Sequence, residues 1–201
     1  MRDQFSHYFT GGAQTQHKPH TVVIRSGTRE LAFETDSGVF SRTELDKGTR
    51  VLLDALEGRS MSGRLLDLGC GWGAVGAALA ARYPGLSVVC GDVNPRAVEL
   101  TRANLARNGI DAEAYVSDGL ADVPGEFDWI VMNPPIRAGK QTVYRLIEEA
   151  RARLTERGAL VLVWRKQQGA ESAMRWLGER FASVERVSRE SGYWVIVCSN
   201  R

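Results

Sequence analysis

The pattern of apolar and polar positions divides the chain near residue 63. Before it, Thr21–Arg25 and Leu31–Thr35 are β-rich runs around a Ser26-Gly27-Thr28 turn, which predicts a hairpin. Residues 1–20 show no periodicity and carry Gly11, Gly12 and Pro19, so a loosely ordered arm is expected there. Between Glu44 and Leu56 the apolar residues Leu45, Val51, Leu52, Leu53, Ala55 and Leu56 suit a helix with one buried face. From residue 63 short apolar strands alternate with helices. Strands are expected at Arg64–Leu68, Leu86–Cys90, Ala112–Val116, Trp129–Met132 and Ala159–Trp164. Helices are expected at Ala74–Tyr83, Pro95–Asn108, Thr142–Leu154 and Ala170–Phe181, with Pro95 suited to a first helical turn. This alternation implies an α/β fold, a mostly parallel sheet with helices on both faces. Val184–Val187 and Tyr193–Cys198 flank Ser191-Gly192 with no helix between them, and should close the sheet as an antiparallel pair. Residues 1–60 would then be an arm, hairpin and helix packed on a main domain of residues 61–201.

The first strand of that domain runs into Asp67-Leu68-Gly69-Cys70-Gly71-Trp72-Gly73, which opens a helix. Glycines let the chain turn sharply there and let a ligand approach the bare backbone. Gly71, Gly73 and Gly76 also satisfy GxGxxG, a match that by itself equally describes a dinucleotide site or a plain tight turn. Asp67 argues for a cationic ligand, since a carboxylate before the turn would repel a pyrophosphate. The methionine end of S-adenosylmethionine carries such a cation. Asp92, ending the second strand, can accept hydrogen bonds from two ribose hydroxyls, a role it would serve for either nucleotide. Asn94 is the expected N-cap of the next helix, which frees Asp92 from that duty. Asp118, after the third strand, could receive an adenine amino group, although Asp118-Gly119 is also the composition of a turn. Cys70 and Gly73 in the turn, Val93 after Asp92, and Asn133 complete the expected cofactor contacts, and Trp72 could pack on the same ligand.

Asn133-Pro134-Pro135-Ile136 follows the fourth strand, on the sheet edge where α/β proteins bind ligands. Two prolines supply no N–H groups, so the Pro134 carbonyl is expected to lack a local donor. With the Asn133 amide oxygen it would offer two acceptors to the two hydrogens of an NH₂ group. An exocyclic amine is conjugated with its ring and weakly nucleophilic. Holding both hydrogens aims its lone pair and stabilises charge developing on nitrogen.

These motifs resemble the small-methyltransferase-domain family of the RsmC type, class I enzymes of Rossmann-like, seven-stranded fold. The likeness extends to Tyr8-Phe9-Thr10, Gly38-Val39-Phe40-Ser41 and Asn133–Lys140, and so to nearly the whole chain. It implies S-adenosylmethionine as cofactor, held by Asp67, Gly69, Gly71 and Asp92, with Asn133 and Pro134 receiving the target amine. It further implies ribosomal RNA or the small ribosomal subunit as partner, and the N2 amine of a guanine as target. Many amino-methylating enzymes place Tyr or Phe after the two prolines; Ile136 offers an apolar contact without aromatic stacking.

Composition adds limits. The 26 Lys and Arg nearly balance the 24 Asp and Glu, so any surface for nucleic acid must come from local clustering. Arg137 and Lys140 follow the Asn-Pro-Pro motif, and Trp164-Arg165-Lys166 follows the fifth strand. Parallel strands end alike, so these four cations should share one rim, where Trp164 or Phe40 could contact a base. Trp129, Trp176 and Trp194 read as core. Cys70, Cys90 and Cys198 form no CxxC pair and are expected as reduced thiols in a soluble, cytoplasmic protein. His7, His17 and His20 lack metal-ligand spacing, and no metal is expected. Three rivals stand beside guanine N2 methylation. One is methylation of adenine N6 or a protein glutamine amide, another an NAD-dependent oxidoreductase, the third a non-catalytic RNA-binding domain.

Overall fold

The computed structural model describes residues 20–36 and 43–200. The expected N-terminal arm and Phe40 with its Gly38–Ser41 motif lie outside the described residues.

The main sheet has seven strands in the order β5-β4-β3-β6-β7-β9-β8. These are β3 (Gly63–Leu68), β4 (Leu86–Asp92), β5 (Ala112–Val116), β6 (Phe127–Met132), β7 (Leu154–Arg165), β8 (Ser183–Glu190) and β9 (Tyr193–Ser199). β3 through β7 pair in parallel, and β9 runs antiparallel between β7 and β8. The inner parallel strands β3, β4, β6 and β7 carry buried apolar runs that face both sides, while the edge strand β5 buries only Ala114. The β8–β9 turn is Ser191-Gly192, both at positive φ, which suits the twist of a two-residue hairpin. β7 begins five residues before the expected Ala159. Its first stretch, Thr155-Glu156-Arg157-Gly158, is too polar to read as a buried strand, and the β6–β7 register is irregular beside it.

Helices α2 (Ala74–Arg82), α3 (Pro95–Arg107), α4 (Lys140–Ala152) and α5 (Ala170–Gly178) cover the sheet. α1 (Lys47–Ala55) packs on β7 and β9. α3 starts as expected, with Pro95 in its first turn and the Asn94 side chain accepting from the Arg96 N–H at 3.0 Å. Strands β1 (His20–Ser26) and β2 (Arg29–Thr35) form a separate two-stranded hairpin. Its inner face, with Leu31 and Phe33 fully buried, joins one continuous core with α1, α2 and α3. Trp194 is buried, while Trp129 and Trp176 are partly so. Among the described residues no helix is long and apolar enough to cross a membrane.

Polar groups stitch the hairpin to the ligand side of the sheet. Asn104 of α3 is fully buried; its amide donates to the carbonyls of Glu34 and Trp72, each at 2.9 Å, and accepts from the Glu34 N–H at 2.8 Å. One side chain thereby ties β2 to the glycine turn. Trp72, which could have faced a ligand, instead packs inward, edge-on to Phe33 with ring centroids 5.0 Å apart. Burial of its large apolar ring against the hairpin outweighs exposure at the turn. Asn104→Ala strands the buried Trp72 carbonyl and two half-buried Glu34 backbone groups, and should cost about 2–3 kcal/mol. Urea denaturation measures this, and a change within the error of the wild type would mean that Asn104 is not the tie.

Candidate functional site

The order of the sheet defines a switch point. From β3 the chain proceeds outward to β4 and β5, then returns to place β6 on the other side of β3. Ligands of open α/β sheets bind beyond the carboxyl ends of the strands at such a point. Leu68 and Met132, the last residues of β3 and β6, are register partners. The glycine turn and Asn133 therefore leave the sheet side by side.

The turn itself is held from outside. Gly69 and Gly71 have φ of +77° and +58°, and open space lies where a Cβ would stand at either. That is a backbone cradle a ligand can approach. Gly73, N-cap of α2, has no side chain with which to cap, and Asp67 of β3 does so in its place, accepting from the Gly76 N–H at 2.8 Å. α2 crowds the sheet here: a Cβ on Gly76 would lie 2.8 Å from the Cys90 sulfur. Asp92 holds the other side of the turn. Its carboxylate accepts from the Gly71 N–H and the Asn94 N–H, both at 2.9 Å, and remains partly open at the end of β4. Burial, and secondarily the Asp92 charge, raises the Asp67 pKa from 3.8 to about 7, against the lowering effect of the Gly76 bond. Burial also raises Asp92, partly offset by its N–H donors.

Asn133 leads out of β6. Its amide nitrogen donates to the Thr49 hydroxyl at 3.0 Å and to both carboxylate oxygens of Asp46 at 3.3 Å. Asp46 is the N-cap of α1, accepting from the N–H groups of Gly48 and Thr49 at 3.0 and 3.2 Å, and it also accepts from the Thr49 hydroxyl. Sequence reasoning missed Asp46 and Thr49. The only local signal is an Asp followed three residues later by Thr at a helix start, which reads as an ordinary cap.

The Pro134 carbonyl corrects one expectation. Pro135 has φ −75° and ψ 73°, an inverse γ-turn that brings the Ile136 N–H to within 2.8 Å of that carbonyl. The donor comes from just beyond the prolines. A carbonyl has a second lone pair, so an acceptor remains beside Asn133.

The other expected residues are placed as follows. Cys70 is buried, 3.5 Å from the Thr101 hydroxyl, and Val93 is an exposed apolar side chain after Asp92. Asp118 is exposed and paired with Arg145 of α4 at 2.6 Å, so any contact with an adenine must share that guanidinium. Arg137, Lys140, Arg165 and Lys166 are all exposed, the first two on the segment that follows β6, the others at the last residue of β7 and just beyond it. Between these segments lies a cavity of about 260 Å³, with Ile136, Lys140, Tyr144 and Trp164 in its walls. Trp164 is only 4% exposed and its indole N–H donates to the Gln168 carbonyl at 3.0 Å, so it is a wall of that cavity and not a free stacking platform. Lys166 lies 4.0 Å from Glu171.

With this geometry established, comparison with known proteins identifies the family. The model of the methyltransferase small domain matches residues 30–197. The chain belongs to that family. Over 193 residues it is 38% identical to the uncharacterized protein YbxB of Bacillus subtilis, covering 94% of this chain and 96% of that one. It is 43% identical over 143 residues to Ribosomal RNA small subunit methyltransferase C of Aeromonas hydrophila, covering 69% of this chain but only 41% of that protein. Among solved structures it resembles the T. thermophilus 16S rRNA N2 G1207 methyltransferase RsmC, described in complex with AdoMet and guanosine. The TM-score is 0.82 at 28% identity, covering 91% of this chain and 51% of that one. This chain thus spans about half the length of the RsmC proteins it matches.

As a methyltransferase small domain with the class I sheet, the chain uses S-adenosylmethionine as cofactor. The residues present suit that group: an open glycine cradle, a partly open carboxylate at the end of β4, and a second carboxylate beneath the turn to balance a cation. Asp67 also makes folding pH-dependent. Its raised folded-state pKa means that its stabilising effect is full below 3.8 and is lost as pH rises through about 7. Asp67→Asn keeps an acceptor for the Gly76 N–H but cannot titrate. Between about pH 4 and about pH 8 the cofactor-free wild type should lose stability relative to this variant in urea unfolding. Parallel pH profiles for the two proteins would show that Asp67 has an ordinary pKa.

Proposed function

We propose that this chain methylates the exocyclic N2 amine of a guanine in small-subunit ribosomal RNA. The observation that supports this reading is the pairing of Leu68 with Met132, from which the glycine turn and Asn133-Pro134 leave the sheet side by side. When bound, S-adenosylmethionine supplies an electrophilic methyl group on a sulfonium. The Asn133 amide oxygen and the free lone pair of the Pro134 carbonyl take the two hydrogens of the target amine. The nitrogen lone pair is then confined to one direction, and the acceptors stabilise positive charge as the N–C bond forms. The resulting cationic amine loses a proton to water, so no strong base is needed. Ile136, partly buried against the core, supplies an apolar edge beside the target ring.

Support for RNA as substrate comes from the four exposed cations around the ends of β6 and β7 and from the RsmC relatives. Support for a planar amine comes from the acceptor pair, which would serve adenine N6 or a glutamine amide equally. Labelled-methyl transfer to ribosomal RNA, followed by nucleoside analysis, tests the substrate. N2-methylguanosine is the expected product; label in N6-methyladenosine or in protein glutamine would replace the guanine reading.

Asn133→Ala should lower single-turnover methyl transfer by about 10²–10³, with S-adenosylmethionine affinity nearly unchanged. Asn133→Asp keeps an acceptor oxygen but faces the Asp46 carboxylate, so it should lose at least as much activity as Ala at neutral pH. A wild-type rate in Asn133→Ala would refute the assigned role. Arg165→Ala combined with Lys166→Ala should weaken RNA binding and flatten its salt slope by about 1–2, leaving cofactor affinity intact. An unchanged slope would mean that these two cations do not touch phosphate.

A further inference from the structure

An amide side chain can present either its oxygen or its nitrogen to a substrate, and only the oxygen can receive an amine hydrogen. The contacts on Asn133 decide between the two. The Thr49 hydroxyl spends its proton on Asp46, so toward Asn133 it acts as an acceptor, and the Asp46 carboxylate is an acceptor as well. Turning the amide over would set its oxygen against a carboxylate and an occupied hydroxyl. Both partners are fixed in turn: Thr49 is 6% exposed, and Asp46 is held by the first N–H groups of α1.

We propose that Asp46 and Thr49 are positioning residues that lock Asn133 with its NH₂ toward α1 and its carbonyl oxygen toward the crevice, making the site selective for substrates that bring N–H donors. This rests on the assignment of Asn133 to the target amine. The lock spans the chain: the cap of a helix before the glycine turn sets the polarity of a residue 84 to 87 positions later. α1 is therefore part of the catalytic apparatus and not an accessory to it.

Thr49→Val keeps the buried shape while removing the hydroxyl, and Thr49→Ser restores the hydroxyl. In methyl transfer to ribosomal RNA, Thr49→Val should lower kcat by about 10- to 100-fold, as misorientation at a reacting centre does, with little change in KM for S-adenosylmethionine. Thr49→Ser should recover most of that loss. In an Asn133→Ala background Thr49→Val should have no further effect, because nothing remains to be positioned. Multiplicative losses in the double variant, or a wild-type kcat in Thr49→Val, would overturn the proposal. A readout without turnover separates this from the substrate reading. In the wild type the Asn133 side-chain NH₂ hydrogens should exchange with water at least about tenfold more slowly than in Thr49→Val, which frees them. Equal exchange would overturn the lock even if activity falls. Slow exchange in a wild type that methylates no RNA would keep the lock and discard the RNA assignment. If Thr49→Val does not fold, Asp46→Asn, which still caps α1 and still offers an acceptor, replaces it. That variant should retain more activity than Asp46→Ala at equal folded fraction, and equal losses would again overturn the proposal.

Discussion

The glycine turn after β3 has no side chains with which to fix itself, yet it must keep one shape for a ligand to be recognised. Its conformation comes instead from carboxylates on the strands beneath. Asp67 accepts from the Gly76 N–H at the start of α2, and Asp92 accepts from the Gly71 N–H in the turn. When ionised, each also adds negative charge at a helix N-terminus, where the peptide dipoles favour it. The consequence is electrostatic. Two acids close together, Asp67 buried and Asp92 half-buried, build a field that a cationic group would relieve. A cationic ligand end, such as the methionine end of the cofactor, would therefore be favoured by the same acids that shape the turn.

The acceptor site on the other side of the switch point is built by the same device. Asn133 stands at the end of a strand, where the chain is about to turn through two prolines and no helix supports it. Its support comes from α1, whose N-cap carboxylate also receives the Asn133 amide. The Asp46 cap thus has two duties: it satisfies the first N–H groups of α1, and it receives the Asn133 amide. The hairpin does comparable work through Asn104, which joins β2 to the Trp72 carbonyl in the turn. Residues before the central sheet share its core and brace both halves of the crevice.

How much of this could be read from the chain depends on the range of each interaction. Strands β3 to β6 and helices α2 and α3 follow from local periodicity, and the Asn94-Pro95 start of α3 follows from local cap chemistry. The places of Gly69, Gly71, Asp92 and Asn133 at strand ends follow from these. What escaped reading was set at long range or by a competing local bond. Asp46 and Thr49 meet Asn133 only when the sheet brings α1 over β7. Trp72 is drawn inward by Phe33, a residue of the distant hairpin. The Pro134 carbonyl finds its donor because a γ-turn at Pro135 aims the next N–H backward, a geometry that proline counting does not reveal.

The proposed acceptor pair limits what kind of specificity it can provide. Two oxygens select a group with two N–H donors, and they measure nothing about the ring that carries it. Guanine and adenine both satisfy them. Discrimination must come from groups that meet the remaining edges of the base, and Ile136 brings no hydrogen bond to that task. It does bring shape: with Lys140, Tyr144 and Trp164 it walls the cavity between the segments that follow β6 and β7. At about 260 Å³ this cavity falls just below the range of roughly 300–1,000 Å³ typical of small-molecule pockets, a size that suits a single planar group. An aromatic residue in place of Ile136 would hold a target ring by stacking on its face, a contact every base offers. With Ile there, the ring must be held largely by its edges and by the nucleotides on either side. On the proposed RNA substrate, that shifts the burden of recognition onto the RNA backbone and the cationic rim.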